Sequence, residues 1–345
     1  MIGRAATRGI LLVVVGASAA YAQSSQPSES PQPPPAAPPA RPAPSLRASR
    51  VTVANDAFDF WLAPWYRPDE EYTSGVEATL EYAGPAWWRR FVGRPLEACR
   101  PDNGSCASHS WSFGQQIFTG ARQVGDDGPV SGSRPNAGWL YVQETERIVS
   151  GDRLEEWSLS AGVTGTPALA EFVQRVAHGY AAAYNRPVDW SRQLPFEPGF
   201  IARYERTQRA MSLGDGGSWS AGVEPHLGGA VGTILTEGSA GVRVRAGFPS
   251  RRPWRPTVPG GLAFSVFADA TVRGVVRNEF LDGTLFQSSA RVRSLPWVRE
   301  YEAGFTLQWR SLGTGYLVHQ TGPEYVSRTG SHTWASFNVE WRVSQ

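Results

Sequence analysis

The chain of 345 residues contains no lysine, so apart from five histidines every basic side chain is an arginine. Lys+Arg 33 against Asp+Glu 31 leaves a formal charge of only +2, which excludes a strongly basic nucleic-acid binder. Beyond the N-terminus there is no long apolar run, and the mean hydropathy of -0.32 excludes a helical membrane protein. Cysteine is nearly absent, at two residues, so neither a disulfide framework nor a cysteine-rich metal site is available. What the chain has is aromatic: 14 Trp, 11 Tyr and 15 Phe need burial or an apolar surrounding, which excludes full disorder. With Gly 37 and few helix-forming runs, the composition points to an all-β chain.

The N-terminus sets the compartment. Residues 1–22 carry two arginines, an apolar core from Ile10 to Val15 and small residues ending at Ala20-Tyr21-Ala22. That is the pattern of a secretory signal peptide with an A-x-A cleavage site. Residues 23–49 are rich in Gln, Ser, Pro and Ala, cannot bury a core, and read as a disordered or polyproline-like tether. In an exported chain the two cysteines, Cys99 and Cys106 in CRPDNGSC, predict a local disulfide across a turn.

From Val51 onward the dominant period is two. In 153–164, Trp157, Leu159, Ala161 and Val163 alternate with Glu156, Ser158 and Ser160. In 299–310, Tyr301, Ala303, Phe305, Leu307 and Trp309 alternate with Glu302, Thr306, Gln308 and Arg310, and 261–273 and 333–343 repeat the pattern. A soluble sandwich alternates as well, but the export signal and the aromatics on the apolar face favour apolar-to-lipid, polar-to-lumen. The expected strands are 51–60, 72–83, 109–118, 138–148, 153–164, 200–210, 218–229, 232–247, 261–277, 299–310, 314–325 and 333–343. A thirteenth over 284–293 would break the even count that two periplasmic termini require. The prediction is a twelve-stranded antiparallel transmembrane β-barrel over 50–345, with one helix in an external loop. That count puts 61–71, 119–137, 165–199 and 278–298 outside the cell and the cysteine turn in the periplasm.

Residues 167–184 break the period of two. Pro167 suits a helix start, Leu169, Phe172, Val173 and Val176 form an apolar stripe, and Asn185-Arg186-Pro187 stops the helix. Gln174 and His178, at i and i+4, share one face. Taken alone, a histidine on such a helix reads as a capping or solvated residue. In VANDAF, neighbouring Asn55 and Asp56 point to opposite faces, so one of them is directed outward unless a bulge intervenes. A polar group against lipid is costly and becomes tolerable if the helix covers it, which argues for a site between wall and helix. Tyr72-Thr73-Ser74-Gly75, at the external start of the second strand, is a third polar cluster.

At these residues the chain resembles the outer-membrane lipid A deacylase family. The matching segments are VANDAF (53–58), DEEYTSG (69–75), FGQQIFT (113–119), SRPNAGWLY (133–141), LAEFVQRVAHG (169–179), FEPGFIARYER (196–206) and NEFLDGTLF (278–286), in order over nearly all of 51–345. The resemblance implies a calcium-dependent hydrolase that removes the 3′-linked acyl chain of lipid A, acting as a monomer in the outer membrane with its site facing outside. It implies His178 as general base, Gln174 beside it, Asn55 and Asp56 at the metal, and Thr73 in the site. Where the family pattern is nearer YTNG and RPYAGW, Ser74 replaces Asn and Asn136 replaces Tyr. With no lysine available, Arg134 is the candidate for a cationic role. The competing readings are a hydrolase of another lipid ester on the same scaffold and a non-catalytic barrel, either pore or anchor.

Overall fold

The structure is a computed structural model. It describes residues 45–59, 71–92, 96–99, 104–120, 132–180, 188–214, 218–249, 254 and 261–343, with backbone only at 178–180. The leader expected over 1–22 and the tether up to residue 44 lie outside the described residues. The strands are β1 (Leu46–Asn55), β2 (Glu71–Ala83), β3 (Ser105–Thr119), β4 (Ala137–Ser150), β5 (Arg153–Thr164), β6 (Pro198–Gln208), β7 (Met211–Leu213), β8 (Ser220–Gly232), β9 (Leu235–Phe248), β10 (Leu262–Asn278), β11 (Trp297–Trp309), β12 (Leu312–Thr321) and β13 (His332–Arg342). All pairings are antiparallel: successive strands pair from β1 to β6 and from β7 to β13, β1 pairs with β13, and β6 pairs directly with β8. The three-residue β7 extends the edge of β8 beyond the end of β6, so the closed wall has twelve staves. Closure leaves no long unpaired edge, which is what a sheet needs in a medium without hydrogen-bonding partners.

Alternation sorts the side chains as predicted. Val51, Leu80, Val142, Leu159, Val244, Val266, Phe305, Phe337 and Trp341 are exposed on the outer face, whereas Glu224, Glu237, Asp269 and Glu340 are buried inside. On the lumen face, between neighbouring strands, Arg273 bridges Glu237 at 2.7 Å and Glu300 at 2.8 Å, Arg243 pairs with Asp269 at 3.1 Å, and Arg50 with Glu340 at 2.5 Å.

Several boundaries differ from expectation. The wall begins at Leu46, not Val51, so Leu46–Ser49 belong to the barrel and not to the tether. Arg47 looks like a linker residue until its partner is seen: it donates to the Cys99 carbonyl, and beside it Arg50 donates to Glu340. The first strand ends at Asn55, and Asp56–Asp59 form a 3-10 turn in place of strand 56–60. The predicted helix over 167–184 is a 3-10 turn at Thr166–Ala168 followed by α1 (Ala170–Tyr180). Residues 284–293 form no strand, in keeping with the parity count, but a short α2 (Glu279–Asp282) was not foreseen. Cys99 and Cys106 are bonded, at the rim that carries both ends of the barrel, and are buried with Val149 and Leu154.

At the opposite rim the mouth is packed shut. α2 brings Phe280 into a cluster with Ala137, Trp139, Tyr141, Leu194 and Ile234, and Phe118 stacks on Phe280 at 4.4 Å. Below it the ion pairs leave a polar cavity of about 220 Å³. Planar-bilayer recordings should therefore show no stable open channel, and a steady conductance would reinstate the pore reading.

The same plug holds a buried acid. Glu279 is fully buried and accepts from Thr164 at 3.2 Å, while Glu197 accepts the backbone N–H groups of Leu285 at 3.0 Å and Phe286 at 3.1 Å. Burial, reinforced by the Glu197 charge, pushes the Glu279 carboxyl up to about 7. Because the folded value lies above the unfolded one, the stabilisation is complete at low pH and is lost as pH rises through about 7. Amide exchange across 279–294, taken relative to the intrinsic rate at each pH, should accelerate as pH rises from the unfolded value of 4.5 to about 7. Glu279→Gln should remove most of the change, and an identical acceleration in the variant would assign it elsewhere.

Candidate active site

Register fixes which residues face outward near the loop-bearing rim. Asn55 pairs with Ser74 and Ala335, and Ser74 pairs with Ile117, so these share the outer face with the exposed Phe337 and Val76. Asn55 is thus the member of the Asn-Asp pair that the wall directs outward. Its Oδ1 accepts the Ala57 N–H at 2.8 Å, which turns the chain into the 3-10 segment. That segment lies along the outer face of the last strands, where the Tyr316 hydroxyl donates to the Phe58 carbonyl at 2.7 Å. Asp56 and Asp59 are both buried in it. A register shift between Tyr72 and Ser74 accommodates Thr73, whose buried hydroxyl lies 2.6 Å from that of Thr119.

α1 covers the neighbouring outer face of β3 and β4. Its closeness depends on Gly138, where an added Cβ would stand 2.6 Å from that of Ala170 and 3.0 Å from that of Ala168. Gln115 donates to the Ala168 carbonyl at 2.5 Å and ties the helix start to the wall. Ile117, Ala170 and Trp190 form the buried contact, with Val173 and Val188 against it. Gln174 is buried beside them and accepts from the Trp190 indole N–H at 3.0 Å. Its amide nitrogen is buried without a hydrogen-bond partner, at a cost of roughly 1–3 kcal/mol. His178 follows in the series Ala170, Gln174 at the same spacing; its side chain is outside the described residues.

The helix turns part of its apolar stripe away from the wall. Leu169, Phe172 and Val176 are exposed, while Gln174 is turned to the wall. A surface helix bathed in water turns its apolar stripe inward. Here the stripe is split: Ala170 and Val173 pack on the wall beside Gln174, while Phe172 and Val176 face outward next to the Arg175–Glu171 ion pair.

Two residues missed in the sequence hold this arrangement. Trp190 orients Gln174. Asn136 stitches the loop bearing Trp190 to the wall: it accepts from Gly120 N–H at 2.9 Å and donates to the Asp189 carbonyl at 2.7 Å. Asp189 caps the Trp190 turn by accepting from Ser191 at 2.9 Å, and that bond holds its carboxyl below the usual range. The departure RPNAGW was the available signal, since an amide carries an acceptor oxygen and a donor nitrogen side by side and can bridge two backbone groups.

Asn55, Asp56, Thr73 and Gln174 thus come to one end of the outer face, with the α1 backbone placing His178 on the same helix. Arg134 does not join them. Its guanidinium lies over the Phe118 ring at 4.6 Å, on the lumen side, and pairs with Glu71 at 3.3 Å and Glu324 at 3.4 Å. Tyr325 and Arg328 complete that cluster around Glu71, so the cation expected in the site is spent on closing the mouth.

A family model described as outer membrane protein LpxR matches residues 10–343. Among solved structures, LpxR from Salmonella typhimurium is similar, with a TM-score of 0.68 and 20% identity, covering 85% of this chain and 99% of that one. The β domain of the Bordetella autotransporter BrkA also matches, at a TM-score of 0.43 and 11% identity over 87% of this chain and 99% of that one. No curated protein sequence matches significantly.

Proposed function

We propose that this chain, which belongs to the LpxR family of outer membrane proteins, hydrolyses the 3′-linked acyl ester of lipid A at the cleft between α1 and the outer face of the wall. The chain belongs to the outer membrane by family, and the twelve-stranded closed wall agrees with that setting. The observation that carries the deacylase reading is the buried Gln174, its amide nitrogen unpartnered, beneath a segment that exposes Leu169, Phe172 and Val176. A cleft covered by such a helix opens sideways to lipid, where an ester of a membrane lipid can reach it without leaving the leaflet.

In this reading His178 takes a proton from the attacking water, a task suited to a neutral imidazole near neutral pH. Asp56 orients it, the Gln174 amide nitrogen supplies a donor to a substrate or water oxygen, and Thr73 lines the floor. The donors of the 3-10 segment are hard oxygens, the carboxylates of Asp56 and Asp59 and the second lone pair of the Asn55 carbonyl, a set that fits calcium. Held by Asp56 and Asn55, the ion would polarise the ester carbonyl. The chain acts as a monomer, exported by its 1–22 leader, with the loop-bearing rim outside and the chain-end rim in the periplasm.

Mass spectrometry of lipid A from cells with and without the protein tests the substrate, with phospholipids assayed in parallel. Loss of one acyl chain from lipid A is expected; release from phospholipid alone would favour the second reading of the scaffold. EGTA should silence the activity and added calcium restore it, whereas full activity in EGTA would remove calcium from the mechanism.

A further inference from the structure

The lipid-facing side of β4 carries two glutamates. Glu144 pairs with Leu159 and Trp111, and Glu146 with Trp157 and His109, so both point outward among exposed apolar and aromatic neighbours. Yet both are buried. The chain leaving β2 folds back over them as a 3-10 strap, Trp87–Arg90. Ala86 N–H donates to Glu146 at 3.2 Å, the Arg89 guanidinium grips both its oxygens, and His109 Nδ1 donates to the Gly84 carbonyl at 2.9 Å. The strap buries the polar groups and presents a new outer surface. Trp87, Phe91 and Val92 are 53%, 69% and 62% exposed. The Arg90 guanidinium lies 4.6 Å from the Phe91 ring centre and 5.8 Å from that of Trp87. No carboxylate pairs with it among the described residues.

We propose that this strap is a phospholipid-binding site, with Arg90 taking the headgroup phosphate and Trp87 and Phe91 flanking the glycerol and the first methylenes. The patch continues the apolar belt of the wall. It sits near the rim of the chain ends, at the register of Trp111 and Tyr82, where aromatic side chains mark the interfacial zone. An arginine held by two rings presents its N–H edge for a bidentate phosphate contact, and among the described residues no carboxylate competes for it. The choice of a glycerophospholipid over lipid A rests on the orientation proposed above, which gives this rim the phospholipid leaflet; it does not rest on the hydrolase reading.

Native mass spectrometry of the full protein in mild detergent, titrated with phosphatidylethanolamine or phosphatidylglycerol, tests the site. One phospholipid should be retained. Arg90→Gln should weaken retention by at least about tenfold, Arg90→Lys should recover part of it, and Trp87→Leu with Phe91→Leu should weaken it as well. Arg291→Gln, an exposed arginine at the opposite rim, should change nothing. Heat-modifiable gel mobility confirms that each variant is folded. Equal retention by Arg90→Gln would overturn the proposal. So would preference for lipid A, or displacement by inorganic phosphate alone, which would mark a simple anion site.

Discussion

His178→Ala should lose ester hydrolysis by roughly 10²–10⁴-fold, the contribution of a positioned general base, and keep its heat-modifiable gel mobility. The helix is anchored by Ala170, Gln174 and Trp190, so a loss of activity in a variant that keeps its folded mobility would be chemical. Asp56→Ala should come close to it, since it removes a buried carboxylate at the first turn outside the wall. Gln174→Ala should be milder on turnover. Asn136→Ala should act at a distance, by releasing the loop that carries Trp190; adding Trp190→Phe to it should cost little more, because both loosen the same amide. Acyl release by His178→Ala at the wild-type rate would end the reading of a helix-borne base. A large additive loss in the Asn136/Trp190 double variant would show that the two act independently.

The barrel was legible because one physical rule, apolar to lipid and polar to lumen, repeats in every stave. The candidate site stands where that rule breaks: Asn55 points outward at the end of β1 and the 3-10 turn Asp56–Asp59 follows it, whereas α1, expected to cover that pair, lies over the outer face of β3 and β4. What could not be read was which segments fold back onto the wall. Glu144 and Glu146 disturb the alternation of β4, but nothing local says that Arg89, far away in sequence, answers them. The helix showed its apolar stripe plainly; which way the stripe turned depends on the medium around it and on Gly138, a residue in another strand. Arg134 was assigned by elimination, since no lysine exists, and elimination carries no geometry. Its neighbours Glu71, Glu324 and Tyr325 are brought to it only by closure of the mouth. The start of the wall was hidden by the proline-rich stretch before it, because Arg47 finds its partner at Cys99.

Arg89→Ala should destabilise the barrel more than any other single change at the chain-end rim. Glu146 is fully buried and Arg89 nearly so, on the lipid side of the wall. Removing the arginine leaves a carboxylate with the Ala86 N–H as its remaining strap donor at 3.2 Å, in a place where neither water nor another cation reaches it. Breaking a buried pair from one side costs about 3–5 kcal/mol, and unpinning the strap would also uncover Glu144. Replacing both partners is a different case, because two apolar side chains need no desolvation. Arg89→Leu with Glu146→Leu should therefore fold nearly as well as the wild type, and the double variant should stand well above Arg89→Ala in urea unfolding from lipid vesicles followed by gel mobility. Equal losses in the single and double variants would mean that the strap holds the wall by packing alone, and that Arg89 and Glu146 are paired for some purpose other than stability.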